Sequence, residues 1–451
     1  MSFPRYPKYK PSGVEWLGEV PEHWEVARLR TVATLNPSKS EADALDRDAP
    51  VSFLPMECIT TDGKLQSVEN RKTSEVWEGY TYFRRNDVVM AKITPCFENG
   101  KGALMRGLKN QAGFGTTELI VIRPDRSKLS PEFLERLVRS SNFRQLGEAA
   151  MYGAGGQKRV PDDFVRDFRA AVPPLPEQRA IAAFLDRETA KIDALVAEQE
   201  RLIELLAEKR QAVISHAVTK GLDPAAPMKP SGVEWLGDVP AQWCLAPVGS
   251  RYAVQLGRML DSAKQTGKHL RPYLRVFDVQ WGKINIVDLP TMDFDEDARE
   301  KYRLRSGDLL VNEGGSYPGR AAIWQDEITE CYFQKALHRL RPWRPESDST
   351  EHMYFAMRWA AEFGVFSAGG MESTIEHLPA ERLRRYRFVF PSIHEQRSIS
   401  AFLKRETARI DALVAQAEKA VTLLRERRSA LISAAVTGQI DVRNAVPESA
   451  A

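Results

Sequence analysis

The 451-residue chain lacks several features that would assign a protein quickly to a class. Its four cysteines lie far apart and form no C-x-x-C pair, which argues against a zinc site and a disulfide framework. The seven histidines show no H-E-x-x-H pairing. No apolar run approaches the roughly 20 residues that span a bilayer, and the opening MSFPRYPKYK lacks a signal peptide's apolar core. We therefore expect a cytoplasmic protein with no bound metal and no membrane partner.

The charge is almost balanced. The 64 basic and 61 acidic residues leave a net charge of +3, so the total charge by itself predicts no nucleic-acid partner. Any DNA must meet positive charge that is gathered locally. The length exceeds one ordinary core and predicts two domains of roughly 150 residues with connecting structure.

An internal repeat is the most informative feature that the sequence does have. The segment PSGVEWLGEVPEHW begins at Pro11, and PSGVEWLGDVPAQW begins 219 positions later at Pro230. A second pair, EQRAIAAFLDRETAKIDALVA from Glu177 and EQRSISAFLKRETARIDALVA from Glu395, agrees at 17 of 21 positions and is offset by 218. The chain is therefore a tandem duplication of a unit of about 218 residues.

The inserts between the repeated blocks have diverged. Residues 30–172 and 249–390 show little resemblance, so that KITPCFENGKGAL stands in one half and VNEGGSYPGRAAIW in the other. Their short β-rich clusters come first, and helical patterns such as PEFLERLVRSSNFRQLGEAA and EHMYFAMRWAAEFGVFSA follow. Each insert is predicted to be an α+β domain, and the shared frame with two different inserts suggests one scaffold that presents two readings.

A long helix closes each unit. The segment from Glu177 to about Thr219 contains no proline or glycine and is rich in good helix formers. Apolar residues recur in it and in the second copy at spacings of three and four, which predicts a coiled-coil seam. The predicted seam residues are Ile192, Leu195, Leu202, Leu206, Val213, Ile410, Leu413, Leu424 and Leu431, with polar breaks at Gln199, Lys209 and Arg427.

The seam leaves two arrangements open. The helices can pair with each other, in which case the duplication predicts an antiparallel coiled coil that separates the domains. Alternatively, each amphipathic helix can pack on its own domain. The predicted divisions are 1–173 for the first domain, 174–222 for the first helix, 223–390 for a linker and the second domain, 391–438 for the second helix and 439–451 for the tail.

At this point the sequence resembles the specificity subunits of type I restriction-modification systems over almost its whole length. The resemblance rests on PPLPEQRAIAAFL and PSIHEQRSISAFL, on AKITPCFENGKGAL with GTTELIVIRP, and on NEGGSYPGRAAIW. It implies that each variable domain reads one half of a bipartite site in double-stranded DNA. It also implies that the helices fix the spacing and dock two copies of a methylation subunit, which restriction subunits then join.

Sequence motifs for catalysis are missing. An adenine methyltransferase usually carries an N-P-P-aromatic or D-P-P-aromatic tetrapeptide, and an ATPase a G-x-x-x-x-G-K-[ST] phosphate loop; neither occurs. The string Asp62-Gly63-Lys64 has the pattern of a hairpin turn. We therefore expect a non-catalytic chain with no cofactor of its own, with S-adenosylmethionine, ATP and magnesium on partner subunits.

Glycine-rich loops with basic and amide side chains are the candidates for DNA contact, because phosphates attract Lys, Arg and backbone amides. Gln157, Asn312 and Arg320 can also pair with base edges. Ordinary solvated turns remain the alternative for each single residue. The candidates are Lys92, Thr94, Asn99, Lys101, Gly155, Gly156, Gln157, Lys158 and Arg159 in the first domain, and Asn312, Glu313, Ser316, Tyr317, Arg320, Gly370, Ser373 and Thr374 in the second.

Trp16 with Trp24 and Trp235 with Trp243 recur at equivalent places and are predicted to be packing anchors that clamp the repeated segment onto the helices.

Two further readings of the chain remain open. The whole chain can also be a coiled-coil assembly scaffold that reads no DNA. Alternatively, it can serve a methylation-only or related defence system.

Overall fold

A computed structural model describes residues 3–154, 156–260, 266–314, 318–366 and 377–445. The chain divides into two units, Met1–Glu200 with Lys419–Ala451 and Arg201–Glu418. The boundary falls within each of two long helices, so each unit contains one part of each helix.

In its described residues, the first unit holds two four-stranded sheets and two two-stranded sheets. One sheet has the strand order β6-β5-β10-β7, in which β5 and β10 are parallel. The other has the order β4-β11-β8-β9 and is antiparallel throughout. The small sheets pair β1 with β2 and β12 with β3. The strands are β1 Tyr9–Pro11, β2 Glu19–Pro21, β3 Glu25–Arg28, β4 Ala33–Leu35, β5 Pro50–Leu54, β6 Glu69–Lys72, β7 Thr81–Arg84, β8 Val88–Ala91, β9 Gly102–Leu104, β10 Ala112–Gly115, β11 Leu119–Pro124 and β12 Arg169–Val172.

The second unit repeats this plan in its described residues. The sheet β16-β24-β21-β22 corresponds to β4-β11-β8-β9, and β20-β17-β23, with β17 and β23 parallel, corresponds to β6-β5-β10. Its strands are β13 Met228–Pro230, β14 Asp238–Pro240, β15 Cys244–Pro247, β16 Tyr252–Leu256, β17 Leu270–Leu274, β18 Val279–Gln280, β19 Lys283–Ile284, β20 Thr291–Asp293, β21 Leu309–Asn312, β22 Ala321–Ile323, β23 Tyr332–Phe333, β24 Leu337–Pro342 and β25 Arg387–Phe390.

The larger helices of each domain follow most of its strands, as predicted. Ser140 divides the predicted helix PEFLERLVRSSNFRQLGEAA into two, because it ends one helix and its hydroxyl accepts from the Phe143 amide of the next. The helices are α1 Leu29–Val32, α2 Thr73–Val76, α3 Pro131–Arg139, α4 Ser141–Ala149, α5 Asp162–Asp167, α6 Leu175–Lys220, α7 Val248–Arg251, α8 Glu296–Tyr302, α9 Thr350–Glu362, α10 Ala380–Arg385 and α11 Ile393–Val436.

The repeated E-Q-R motif at the start of α6 and α11 ties each helix to its domain. Glu177 accepts a hydrogen bond from the Trp24 indole at 3.1 Å, and Glu395 accepts one from Trp243 at 3.0 Å. The next residue of the motif, Gln178, is fully buried and accepts from the Ser130 amide at 2.7 Å. Trp24 and Trp243 are 0 and 1% exposed, so the predicted anchoring of the repeated segment is confirmed.

The long helices run antiparallel within each unit. In the first unit, Asp193 pairs with Arg428 and Glu200 pairs with Arg425, both at 2.8 Å, so residue numbers rise on one helix as they fall on the other. In the second unit, Arg210 pairs with Asp411. Since Asp193 and Arg428 lie 218 positions from Asp411 and Arg210 respectively, the duplication repeats this ion pair.

Each hydrophobic core takes residues from both long helices. In the first unit, Ile181 and Leu185 of α6 share a core with Ile432 and Val436 of α11. In the second, the equivalent residues are Ile399 and Leu403 of α11 with Ile214 and Val218 of α6. The fold is therefore α+β with two similar domains and an antiparallel coiled coil of duplicated helices, as predicted.

The predicted seam needs a correction at three positions. Leu195, Leu202 and Leu413 are 44, 40 and 41% exposed. The covered stripe runs instead through their apolar neighbours, including Val196 and Ile203. The polar break likewise falls on Arg210 and Arg428, one position after the predicted Lys209 and Arg427. The other predicted seam residues are buried or half-buried: Ile192, Leu206, Val213, Ile410, Leu424 and Leu431.

Candidate nucleic-acid interface

Two segments that are distant in sequence meet in the first unit. Strand β8 leads into the loop of residues 92–101, and the glycine-rich segment of residues 152–159 lies against it. The Thr94 amide donates to the Lys158 carbonyl at 3.0 Å, and the Val160 amide donates to the Lys92 carbonyl at 2.8 Å. Most of the first domain's predicted candidates therefore share one surface, whereas Gly155 lies outside the described residues.

Three of these candidates are occupied by contacts within the unit. Arg159 donates from two nitrogens to Glu118 at 2.8 and 2.9 Å, and these bonds lower the pKa of the Glu118 carboxyl. The Thr94 hydroxyl donates to Glu98 at 2.7 Å, and the Lys101 ammonium donates to the Met56 carbonyl at 3.0 Å. These side chains hold the loops in place as the structure stands.

The remaining candidates of the first unit face solvent to different degrees. Asn99, Gln157 and Lys158 are exposed, as is Gly156, whereas Lys92 is half-buried. Gly156 has φ +76°, a left-handed conformation that favours glycine. The three exposed side chains supply amide and ammonium groups, which suit base edges and phosphates.

The equivalent loop of the second unit, residues 313–320, follows β21. Asn312 at the end of that strand is 5% exposed, and its amide donates to the Val276 carbonyl at 3.1 Å. The predicted base contact by Asn312 is therefore corrected to a structural contact, because its amide is turned inward. Glu313 is half-buried, and its backbone bonds to Ala336 and Leu378.

Arg320 closes the described part of this loop and donates to the Gln280 side chain of the β18–β19 hairpin. Lys101, 219 positions earlier, makes a similar contact. Lys101 reaches Met56 in the segment after β5, and Arg320 reaches Gln280 in the segment after β17. The other predicted candidates of this unit lie outside the described residues: Ser316, Tyr317, Gly370, Ser373 and Thr374.

Each loop follows a strand that begins next to an Asp–Arg ion pair, and this pair was not predicted from the sequence. Arg123 makes two bonds of 2.7 Å to Asp87, which immediately precedes β8. Arg341 makes the same two bonds of 2.7 Å to Asp308, which precedes β21. The signal is present in the diverged inserts as an aspartate before an apolar strand, NDVVM or GDLLV, and as an arginine before proline in β11 and β24.

The turn Asp62-Gly63-Lys64 is the tip of a hairpin, as predicted. Ile59 pairs with Leu65 across it, the Thr60 amide donates to the Lys64 carbonyl, and Gly63 has φ +86°. In the described parts of the chain, no three His, Cys, Asp or Glu side chains converge as metal ligands do. Among the same residues, no helix combines the length and apolarity that a membrane span needs.

Known proteins are similar to this chain in sequence and in fold. The chain is 40% identical over 194 residues to the EcoEI type I restriction enzyme specificity subunit of Escherichia coli, a stretch of 43% of this chain but only 32% of that relative. A second relative, the StySPI specificity subunit of Salmonella potsdam, is 23% identical over 94% of this chain and 90% of its own length. No protein-family model matches the chain.

Solved structures give the same picture for the fold. A chain from a structure on complex assembly and conformational transition of the type I R-M system superposes with a TM-score of 0.73 at 18% identity, over 92% of this chain and 98% of that one. The HsdS subunit from Thermoanaerobacter tengcongensis gives 0.57 at 21% identity, over 93 and 98%. Together with the duplicated frame and the two α+β domains, these likenesses show that the chain has the fold of these proteins and is similar in sequence to type I restriction enzyme specificity subunits.

Proposed function

We propose that this chain reads a two-part DNA sequence for a type I restriction-modification complex, with one half-site for each unit. The observation that carries the proposal is a repeated backbone with different loop chemistry. The 92–101 loop and the 313–320 loop follow equivalent strands and rest on equivalent Asp–Arg pairs, yet their side chains differ. A shared frame with unlike loops suits one protein that recognises two unlike half-sites.

Double-stranded DNA is the proposed ligand of these loops. In the first unit, Lys158 supplies a positive charge for phosphates, and Asn99 and Gln157 supply amides for base edges. The half-sites are separated by unread bases, and the two long helices set their number. Because the protein acts on DNA, the cytoplasm is its proposed location.

Two copies of a methylation subunit are the proposed partners of the helical frame. Leu195 and Leu413, 218 positions apart, are 44 and 41% exposed, and Leu205 and Leu423 repeat the pattern at 45 and 53%. Exposed leucines at duplicated positions offer the same apolar contact twice. Restriction subunits then join the complex. S-adenosylmethionine, ATP and magnesium act on the partner subunits, and this chain contributes no catalytic group.

The test is to co-express the chain with its cognate methylation subunit in an unmethylated host. Mapping N6-methyladenine by single-molecule sequencing should then give a two-part motif with a fixed gap. Replacing residues 30–172 by the corresponding domain of another specificity subunit should change one half-site only. A stable complex without any motif would instead favour an assembly scaffold, and modification by the isolated chain would contradict its non-catalytic role.

The helical ruler has a separate test. Inserting seven residues after Gln199 and seven after Ala417 keeps the seam in register, because seven residues make one coiled-coil repeat. Each insertion lengthens its helix by about 10 Å, which corresponds to roughly three base pairs. The unread gap should lengthen while both half-sites stay the same; changed half-site bases would contradict the ruler.

A further inference from the structure

A short 3-10 turn lies beside the candidate loop in each unit. It covers Met56–Cys58 in the first unit and Val276–Asp278 in the second. The middle residues, Glu57 and Phe277, occupy equivalent positions 220 apart. Glu57 is exposed, and Phe277 is 59% exposed. At the same place, one unit presents a carboxylate and the other an aromatic ring.

The turn and the candidate loop are joined in both units. Lys101 of the first loop donates to the Met56 carbonyl at 3.0 Å, and Asn312 at the start of the second donates to the Val276 carbonyl at 3.1 Å. In each case the accepting carbonyl belongs to the residue just before the exposed one. The exposed residue is therefore held on the same surface as the candidate loop.

The Phe277 ring faces water and packs against a basic side chain. The Arg275 guanidinium carbon lies 4.1 Å from the ring centroid. Arg275 is itself held by two bonds of 2.8 and 3.0 Å to Asp278, which is fully buried. An exposed ring beside basic and amide groups is suited to apolar contact with a nucleic-acid base.

Glu57 offers the opposite chemistry. A carboxylate repels phosphates, so its presence on a DNA-reading surface favours contact with a base rather than with the backbone. In the major groove a carboxylate accepts from the amino group of cytosine, whereas an apolar side chain contacts the methyl group of thymine. The exchange of one chemistry for the other within a preserved turn is what a change of the base read would require.

On the proposed function, we infer that Glu57 and Phe277 are specificity-determining residues at one equivalent position of the two half-sites. Glu57 accepts from a cytosine amino group in the first half-site. Phe277 contacts a thymine methyl group in the second. The surrounding turn and loop place each side chain at the base edge, and the residue identity selects the base.

The test uses the complex of this chain with its methylation subunit and reads the genomic methylation motif. Glu57→Gln and Glu57→Ala should relax selection at one C·G pair of the first half-site by about tenfold, leaving the second half-site unchanged. Phe277→Ala, which removes the ring, should relax one T·A pair of the second half-site alone, and Phe277→Leu should relax it less because it keeps an apolar side chain. Glu57→Gln keeps the side-chain volume and Phe277→Leu keeps the side chain apolar, so both report on contact rather than folding.

Matched controls come from exposed residues of the same types, Glu15→Gln and Phe363→Ala, which should leave both half-sites intact. An unaltered motif in the Glu57 and Phe277 variants would overturn the inference. So would a uniform fall in methylation at every site with no base relaxed, which indicates backbone or structural contact. These outcomes leave the proposed function standing, whereas the absence of any two-part motif with the unsubstituted chain would remove it.

Discussion

The short helix that follows each glycine-rich segment carries opposite charge in the two units. Helix α5 reads DDFVRD, and α10, 218 positions later, reads AERLRR. Both bury one apolar residue completely, Val165 or Leu383. The buried position is preserved because the helix must pack on its domain, whereas other positions differ: Asp162, Phe164 and Asp167 of α5 are replaced by Ala380, Arg382 and Arg385 in α10.

The same contrast between preserved interior and altered surface governs the loops. Asp87 and Asp308 hold equivalent arginines beneath them, while the exposed residues of the 3-10 turns are Glu57 and Phe277. Buried charge must be matched, since an unpaired buried ion costs several kcal/mol, but solvated residues are free to change. The comparison therefore separates the part of each unit that maintains the fold from the part that, on the proposed function, distinguishes the half-sites.

Breaking the buried Asp–Arg pair should have the largest effect. Asp87→Asn removes the buried carboxylate from Arg123, whose side chain is 10% exposed and keeps only the more exposed Glu41 as an ionic partner, and should lower the local unfolding free energy by about 3 kcal/mol. Asp308→Asn should cost less, about 2 kcal/mol, because the Arg341 side chain is 28% exposed and water can solvate it.

Hydrogen exchange of β8 and β21 measures the two effects separately, since each strand reports on its own unit. The unsubstituted unit of each variant serves as the internal control. An equal loss in both variants would contradict the difference in burial as its cause.

Acid should destabilise the second unit through His352. This side chain is 1% exposed, neither ring nitrogen has a hydrogen-bond partner among the described residues, and burial lowers its pKa to about 4. Because the folded pKa lies below the unfolded value of about 6.5, stability is complete above that value and is lost as the pH falls toward 4. We expect about 2 kcal/mol less stability at pH 4.5 than at pH 7.

The equivalent position of the first unit gives the control for this prediction. Phe133, 219 positions before His352, is fully buried. His352→Phe should therefore remove most of the acid sensitivity in calorimetric unfolding at the two pH values. Burial also lowers the pKa of His338, so a residual loss is expected in the variant; a loss as large as before would assign the effect to other groups.

The basic helix of the second unit should bind phosphates more strongly than its acidic counterpart. Arg385 at the end of α10 and Arg387 at the start of β25 are exposed, whereas in the first unit Asp167 pairs with both Arg28 and Arg30. Arg385→Gln with Arg387→Gln should weaken DNA binding by the complex about tenfold at low salt and reduce the salt slope by about 2.

This effect should be the smallest of the three in free energy. Asp163→Asn in the first unit, at another exposed carboxylate, should move the slope slightly in the opposite direction. Binding measured from low to high salt on a methylated-site duplex tests both. A slope unchanged by the double substitution would mean that neither the end of α10 nor the start of β25 contacts the DNA backbone.

The duplicated frame could be predicted from the sequence, but details that depend on residues distant in sequence could not. Leu195 and Leu202 were predicted to lie in the seam, but they are exposed, and the adjacent Val196 and Ile203 are half-buried instead. Two adjacent apolar residues look alike in a periodic pattern, and only the facing helix decides which one is covered. Asn312 was misread for a similar reason, because an amide after a strand is equally suited to a base edge or to a backbone carbonyl such as that of Val276.

The sequence by itself determined the duplication, the two long helices, the α+β character of the inserts and the anchoring tryptophans, because these features depend on local composition and on exact repetition. The tertiary structure decided the coiled-coil register, the joining of the 92–101 loop to residues 152–159, and the Asp87–Arg123 and Asp308–Arg341 pairs. Those contacts join residues that are more than 30 positions apart. Their geometry follows from how strands and helices pack, which no single segment of the chain specifies.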